Sequence, residues 1–341
     1  MENNVMIEVN NLTKKFNDFT AVDHISFDVK ESEIFGLLGP NGAGKSTTIR
    51  MLTTLARPTE GTAKIGGYDI VKQDSKVRQQ IGLVSEKMIM YDRLTAKENL
   101  KFFGKLYNMP NDVLDSKTDE LLEMLQLTKW KNTKVGTFST GMRQRMNVIR
   151  ALLNTPKVLF LDEPTLGLDP HSTVEIREFI KKLNTEHKTT IILTTHMMNE
   201  ADILCDRIGI IDQGKIVALD TPTNLKKMIS GNDTTILKLE IQNISSKLLN
   251  KIQGADSVKS VSQENNCTIK VHATGENSFD EIIDTVRTQK GKINSMEKLQ
   301  PTLEDVFLHI TGRQVRDETT NKIPMKRGPG HRSSMAKQRG R

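Results

Sequence analysis

The sequence predicts an α/β chain in two parts: a mostly parallel sheet covered by helices, then a smaller α+β unit. Three observations predict it. A glycine-rich run, residues 39–47, stands between an apolar run and a stretch of helical periodicity. Short apolar runs then alternate with helical segments as far as residue 230, the pattern of strands buried on both faces. Beyond Ser230-Gly231-Asn232-Asp233 the apolar spacing changes to alternation broken by two helical patches. At 341 residues the chain has room for two cores.

Taken in order, residues 5–9 and 25–29 read as strands separated by a polar turn. Ile34-Phe35-Gly36-Leu37-Leu38 fits a buried strand. Gly39, Pro40, Asn41, Gly42, Ala43, Gly44, Lys45, Ser46 and Thr47 follow it, and then Ile49, Leu52, Leu55 and Ala56 recur at helical spacing. Strand, glycine loop and helix start in that order make the phosphate-binding P-loop pattern. Glycines let backbone N–H groups converge on phosphates, and the helix N-terminus adds a favourable field. Lys45 is then placed to reach the β- and γ-phosphates of a nucleotide, and Ser46 to ligate Mg²⁺. Residues 61–70 read as a hairpin around Gly66-Gly67. Residues 95–127 are helical in pattern, with Leu121, Leu122, Leu125 and Leu127 on one apolar face.

Ser139-Thr140-Gly141-Met142 opens a helix that runs on to Leu153. The strand Val158-Leu159-Phe160-Leu161 ends in two acids, Asp162 and Glu163, and strand carboxyl ends are where open α/β sheets bind ligands. Asp162 is placed to hold Mg²⁺ through water, and Glu163 to polarise an attacking water. A helix over 173–183 leads to a further buried strand, 190–194, with His196 just past its end. In the second part Leu237, Leu239 and Ile241 alternate, as do Cys267, Ile269 and Val271, while Leu248, Leu249, Ile252 and Ile282, Ile283, Val286 mark helices. Residues 234–311 therefore read as a ferredoxin-like β-α-β-β-α-β unit. It closes on an N-capped helix with Leu303, Val306, Phe307 and Ile310 on one face, stopped by Gly312.

Composition sets limits. No uninterrupted apolar stretch approaches bilayer length, the N-terminus carries no signal peptide, and Cys205 and Cys267 form no disulfide framework or metal-ligand spacing. A cytosolic location is expected. The net charge of +7 sits in the tail: residues 322–341 hold seven basic side chains and no acid, so residues 1–321 carry no net charge. No nucleic-acid partner is expected. The tail is rich in Gly, Pro and Ser and reads as disordered, with anionic lipid as the contact its charge suits.

In sequence order these motifs resemble the ATP-binding cassette (ABC) transporter ATPase family over residues 5–225, whose signature loop has the Ser-x-Gly core found at Ser139 and Gly141. The resemblance implies a P-loop NTPase cassette over 1–230, with an antiparallel β subdomain and a helical subdomain at about 87–155. The small α+β domain would follow at 231–312 and the basic tail at 313–341. It implies that ATP and Mg²⁺ are bound, that Phe16 stacks on adenine, that Gly167-Leu168-Asp169 is the D-loop, and that His196 is the switch histidine facing the γ-phosphate. Glu86 stands where the family's Q-loop has Gln; a carboxylate there serves Mg²⁺ while adding negative charge beside the γ-phosphate. The apolar group Met88, Ile89, Met90 and Tyr91 falls where the family borders the groove for the permease's coupling helix, so Glu86 would sense Mg-ATP while residues 88–91 transmit closure.

The family sandwiches nucleotide between the P-loop of one subunit and the Ser139/Gly141 loop of another. A second cassette is implied, most simply an identical chain in a homodimer. The block 300–313 resembles the ending of ATPases that serve multidrug and daunorubicin-resistance exporters. The function implied is ATP hydrolysis energising separate transmembrane permease subunits for export, peripheral on the cytoplasmic face of the cell membrane. The rival reading is a soluble ABC ATPase acting on ribosomes or in DNA repair. Such proteins typically join two cassettes or insert coiled coils, whereas one cassette and no long heptad stretch occur here.

Overall fold

Two long antiparallel strands open the chain, β1 (Val5–Phe16) and β2 (Phe19–Lys30), turning at Asn17 and Asp18. The polar stretch between the two apolar pieces, expected as a turn, pairs as well. Ladder hydrogen bonds are made by backbone, and register shifts between Val9 and Leu12 and again at Lys14 absorb the irregular side-chain pattern. The computed structural model describes residues 4–85, 89–229, 234–242, 244–275, 278–289 and 291–312. Glu86, Met88, the break at 230–233 and the basic tail lie outside the described residues.

After β3 (Ile34–Leu38) come α1 (Lys45–Leu52), β4 (Glu60–Ile65), β5 (Tyr68–Asp69), α2 (Asp74–Gln80) and β6 (Ile81–Val84). Helix α1 stops at Leu52 rather than reaching Leu55. Thr54 takes a left-handed φ of 63°, which turns the chain off the helix axis and leaves Leu55 65% exposed. Gly66 and Gly67 turn β4 into β5 with φ of 56° and 81°, the conformation that a two-residue hairpin asks of glycine. Strands β2-β1-β4-β5 form an antiparallel sheet.

Next come α3 (Ala96–Leu106), α4 (Asn111–Met124) and α5 (Thr140–Leu152). A Thr95/Glu98 capping box starts α3, and Leu121, Leu122, Leu125 and Leu127 are all buried as their spacing predicts. The first part closes with β7 (Val158–Asp162), α6 (Pro170–His187), β8 (Thr190–Thr195), α7 (Met198–Leu204), β9 (Arg207–Asp212), β10 (Lys215–Asp220) and α8 (Pro222–Ile229). Its central sheet runs β10-β9-β3-β8-β7-β6 and is parallel except for the edge strand β10.

Every residue of β3, β7 and β8 is buried. Phe35, Val158, Phe160 and Ile192 face the antiparallel sheet. Ile34, Leu38, Leu159, Leu161, Ile191 and Leu193 face the helical layer. Strands apolar on both sides have one solvent outlet, their ends, and that is where the polar residues collect: Leu38 pairs with Thr195, and Asp162 with Thr194.

The second part comprises β11 (Thr234–Gln242), α9 (Ser246–Gln253), β12 (Val258–Gln263), β13 (Thr268–Thr274), α10 (Ser278–Thr288) and β14 (Lys292–Leu299) in an antiparallel sheet of order β12-β13-β11-β14, the ferredoxin-like arrangement. Helix α11 (Leu303–Thr311) leaves that core. Its Leu303, Val306 and Phe307 are buried with Ala201, Leu204, Leu225 and Ile229 of the first part. Asp305 ties α11 back: it closes a capping box with Thr302, accepts from Lys270 Nζ on β13, and lies 3.7 Å from His272 Nε2. Burial pushes the Asp305 carboxyl up, but hydrogen bonds from Lys270 and Thr302 outweigh it and hold the group below its ordinary range. Among the described residues no helix is long and apolar enough to cross a membrane.

Candidate functional site

The glycine loop joins β3 to α1 at the sheet's carboxyl edge, and its shape leaves no room for side chains at two points. A Cβ on Gly39 would lie 2.2 Å from the Ile211 carbonyl oxygen, and one on Gly44, at φ 112°, would lie 2.6 Å from the Ala21 carbonyl oxygen. Asn41 and Gly42 form the exposed tip, Ala43 is buried, and Thr47 is half-buried at the start of α1. Lys45 is buried (5% exposed). Its ammonium donates to the Gly39 carbonyl at 2.7 Å and the Pro40 carbonyl at 3.2 Å, and lies 3.3 Å from Glu163 Oε1.

Beside it, Asp162 Oδ1 accepts from the Ser46 hydroxyl at 3.0 Å and the Thr194 hydroxyl at 2.6 Å. Glu163 Oε2 is 2.9 Å from His196 Nδ1. Its backbone takes a left-handed φ of 51°, and its N–H donates to the Thr194 carbonyl at 3.2 Å. That conformation is unusual for a non-glycine residue and survives only when its surroundings hold it. Lys45, Ser46, Asp162, Glu163 and His196, up to 151 residues apart in sequence numbering between Lys45 and His196, thus form one continuous polar network.

A second group lies on α5 and α6. Ser139 caps α5, accepting from the Met142 N–H at 3.3 Å. Asp169 caps α6, accepting the Ser172 N–H at 3.0 Å and its hydroxyl at 2.7 Å; those bonds hold its carboxyl below the usual range. Gly141 sits against that same serine, where a Cβ would come within 2.4 Å of Ser172 Oγ. Gln144 on α5 donates to the Pro164 carbonyl at 2.6 Å, linking this group to the residue after Glu163. The Phe16 ring is half exposed at the end of β1, with Lys14 Nζ 5.0 Å from its centroid, a surface ring rather than a core one.

Thr194, Ser172 and Gln144 are the residues that motif reading passes over. Thr194 carries a usable signal, being a hydroxyl that follows the apolar run 191–193 and pairs with Asp162. Ser172 and Gln144 carry none beyond ordinary helix composition. The apolar loop divides: Ile89 is 59% exposed, Met90 packs on the core, and Tyr91, 46% exposed, stacks edge-on with Phe102 at 4.7 Å between centroids.

The linearmycin resistance ATP-binding protein of Bacillus subtilis (strain 168) is 40% identical over 314 residues, covering 92% of this chain and 100% of that protein. The chain belongs to the ABC transporter ATP-binding family. The family described as ABC transporter matches residues 22–166, and the one described as ATP-binding protein DrrA1-3-like, C-terminal domain, matches residues 221–311. The daunorubicin/doxorubicin resistance ATP-binding protein of Streptomyces peucetius is 33% identical over 93% of this chain and 95% of its own length. The Nod factor export ATP-binding protein I of Sinorhizobium fredii (strain NBRC 101917 / NGR234) is 36% identical over 93% and 89%. Among solved structures, a dimeric ATP-binding cassette in a post-hydrolysis state bound to ADP and Pi superposes with a TM-score of 0.58 at 30% identity, covering 63% of this chain and 98% of that one. As a member of this family the chain binds and hydrolyses ATP through its cassette.

Proposed function

We propose that this chain is the ATP-hydrolysing subunit of an export ABC transporter, acting on separate permease subunits as one of a pair of cassettes. The observation that carries the reading is the network of Lys45, Glu163 and His196 beside Ser46, Asp162 and Thr194. It joins a phosphate-binding loop to a carboxylate already in contact with a cation and an imidazole. The relatives named for drug resistance and Nod factor export support the export direction.

In hydrolysis, a water oxygen attacks the γ-phosphorus, the bond to the bridging oxygen of ADP breaks, and the water's proton passes to the Glu163 carboxylate. Lys45 has three N–H donors. Phosphate oxygens reaching it displace the Glu163 contact, so substrate binding frees the base it needs. His196 keeps the other carboxylate oxygen oriented and stands ready to meet the γ-phosphate. Ser46 and Asp162 offer hard oxygen donors of the kind Mg²⁺ takes, and among the described residues no group of three or more His, Cys, Asp or Glu is arranged to hold a metal ion by itself. That small protein share fits an ion completed by phosphate and water. Mg²⁺ bound there supplies charge neutralisation to the phosphates.

Ser139 and Gly141 complete the site in trans, facing the phosphate loop of a second copy. Glu86 stays the proposed metal-sensing position, and Ile89, Tyr91 and Phe102 offer the apolar surface for the permease.

The test is Glu163→Gln. A positioned general base contributes about 10²–10⁴ in rate, so the variant should bind ATP normally and lose turnover by that factor. Turnover at the rate of the unaltered protein would remove Glu163 from the role of base.

A further inference from the structure

Glu200, on α7, has no part in the site as described, yet it is fully buried at 0% exposure. A buried carboxylate is costly unless paired, so its partners matter. Oε1 accepts from the Thr165 hydroxyl at 2.6 Å, and Thr165 is itself buried, two residues beyond Glu163. Arg177 Nε, from α6, lies 3.8 Å from the same oxygen. Among the described residues Glu200 Oε2 and Arg177 Nε have no hydrogen-bond partner. The pairing between these two helices is therefore half made, and the firm bond is the one to Thr165.

That bond falls on the segment whose shape the site depends on. Glu163 sits at φ 51°, and three tethers surround it. The Thr194 carbonyl takes its N–H at 3.2 Å. Gln144 holds the next residue's carbonyl at 2.6 Å. Glu200 holds the hydroxyl of the residue after that. The turn then continues through Leu166 N–H to the Glu163 carbonyl and Leu168 N–H to the Thr165 carbonyl, both at 3.2 Å, toward Asp169. Helix α7 starts two residues after His196 and α6 starts next to Asp169. One carboxylate thus stands where the segments carrying Glu163, His196 and Asp169 meet.

We propose that Glu200 is a positioning residue for hydrolysis. Through Thr165 it holds Glu163 in the left-handed turn that aims the carboxylate at Lys45 and His196, while Arg177 draws the α6 helix into the same joint. This rests on Glu163 being the general base.

The experiment uses the full chain and measures kcat, the Kd of a non-hydrolysable ATP analogue, and Tm, for Thr165→Val, Glu200→Ala, Glu200→Gln and the Thr165→Val/Glu200→Ala double variant. Misplacement of a reacting group by about 1 Å costs on the order of 100-fold. Thr165→Val and Glu200→Ala should each lower kcat by roughly 10- to 100-fold with analogue Kd unchanged. The double variant should be no slower than the worse single one, because both cut the same bond. Glu200→Gln, whose amide oxygen still accepts from Thr165, should recover most of the kcat lost in Glu200→Ala. In a Glu163→Gln background Thr165→Val should change nothing further.

Full kcat in Thr165→Val, or additive losses in the double variant, overturns the proposal. So does a lowered Tm with kcat intact, the mark of a purely structural pair. Thr165→Val nearly conserves volume, so it decides the matter alone if Glu200→Ala does not fold. A Glu163→Gln variant with normal turnover defeats the base assignment; an inactive Glu163→Gln beside a fully active Thr165→Val defeats only the tether.

Discussion

At the glycine-loop end of the cassette, Asp162 is buried at a strand end and Lys45 and Glu200 on the helices that follow β3 and β8, and Glu163 carries a left-handed backbone angle. The ferredoxin-like unit is built differently. Among the described residues its interior, from Leu237 to Val286, buries no charged side chain, only the small hydroxyl residues Thr268 and Ser278, and a buried acid, Asp305, meets its sheet from α11. The second region follows the local rules that make a sequence fold. The first breaks them at several neighbouring positions and ties the exceptions to one another. Such clustered violations mark a site that serves chemistry rather than stability. The seam between the regions is an intermediate case: one buried charge, fully paired, with no ligand chemistry around it.

The largest effect on stability should come from that seam. Asp305→Ala leaves Lys270 without its partner and removes a helix cap, and breaking a buried pair costs roughly 3–5 kcal/mol. Because α11 completes the cassette core, the loss should lower the urea midpoint seen by Trp130, the single tryptophan, with ATP affinity unchanged in the folded protein. A midpoint that does not move would mean α11 is dispensable to the cassette.

Acid should weaken the same seam in two stages. Burial pushes the His272 imidazole below its ordinary value, Lys270 and His309 push the same way, and Asp305 opposes them. The folded protein therefore prefers the neutral ring, and stability falls as pH drops below about 6.5, where the unfolded chain binds the proton more readily. Asp305 is held below its ordinary value, so its contribution is present above about pH 3.9 and lost as pH falls through the folded value. Urea midpoints at pH 7.5 and 5.5 check the first stage, and His272→Asn should flatten it.

At the phosphate end, Lys45→Ala should weaken ATP binding by roughly 10- to 100-fold, since hydrogen bonds to charged groups contribute about 1.5–3 kcal/mol. Calorimetric titration with ATP would show it, and unchanged affinity would separate Lys45 from the phosphates. Gly141→Ala should be milder, about 1–3 kcal/mol of overpacking against Ser172, read as slower turnover that Ser172→Gly partly restores. No rescue would place the loss in contacts to nucleotide instead. Smallest of all, Tyr91→Ala should change ATPase of the isolated chain by less than about twofold, within the ±0.5 kcal/mol usual for surface positions, yet reduce transport in cells. Equal transport would end the coupling role.

What the sequence revealed depended on whether a signal was local. Strands β7 and β8 were legible because the middle of a strand buried on both faces must be apolar. The glycine loop was legible because its backbone tolerates no Cβ at Gly39 or Gly44. The Thr302 cap and Gly312 stop of α11 were equally plain. Its destination was not: an apolar face says that a helix packs, without saying on what. The polar middle of β1 and β2 hid a ladder completed by hydroxyls, with Ser26 Oγ accepting the Asn11 N–H and Thr13 Oγ1 that of His24. Glu200 hid best, since an acid on a short helix reads as solvated, and its partner Thr165 stands 35 residues away.

Helix α11 also fixes a timetable. The sites it fills, beside Leu204, Leu225 and Ile229, are made early, while Leu303, Val306 and Phe307 come about 70 residues later. At about 5–20 residues per second, the growing chain holds that apolar face open for roughly 4–15 s. The ferredoxin-like unit is synthesised in that interval, and its last strand, β14, delivers α11 to the gap. Translation thus closes the cassette last, after the appended unit has emerged, so damage to that unit would reach the ATPase as a defect of biosynthesis before it could act as a defect of catalysis.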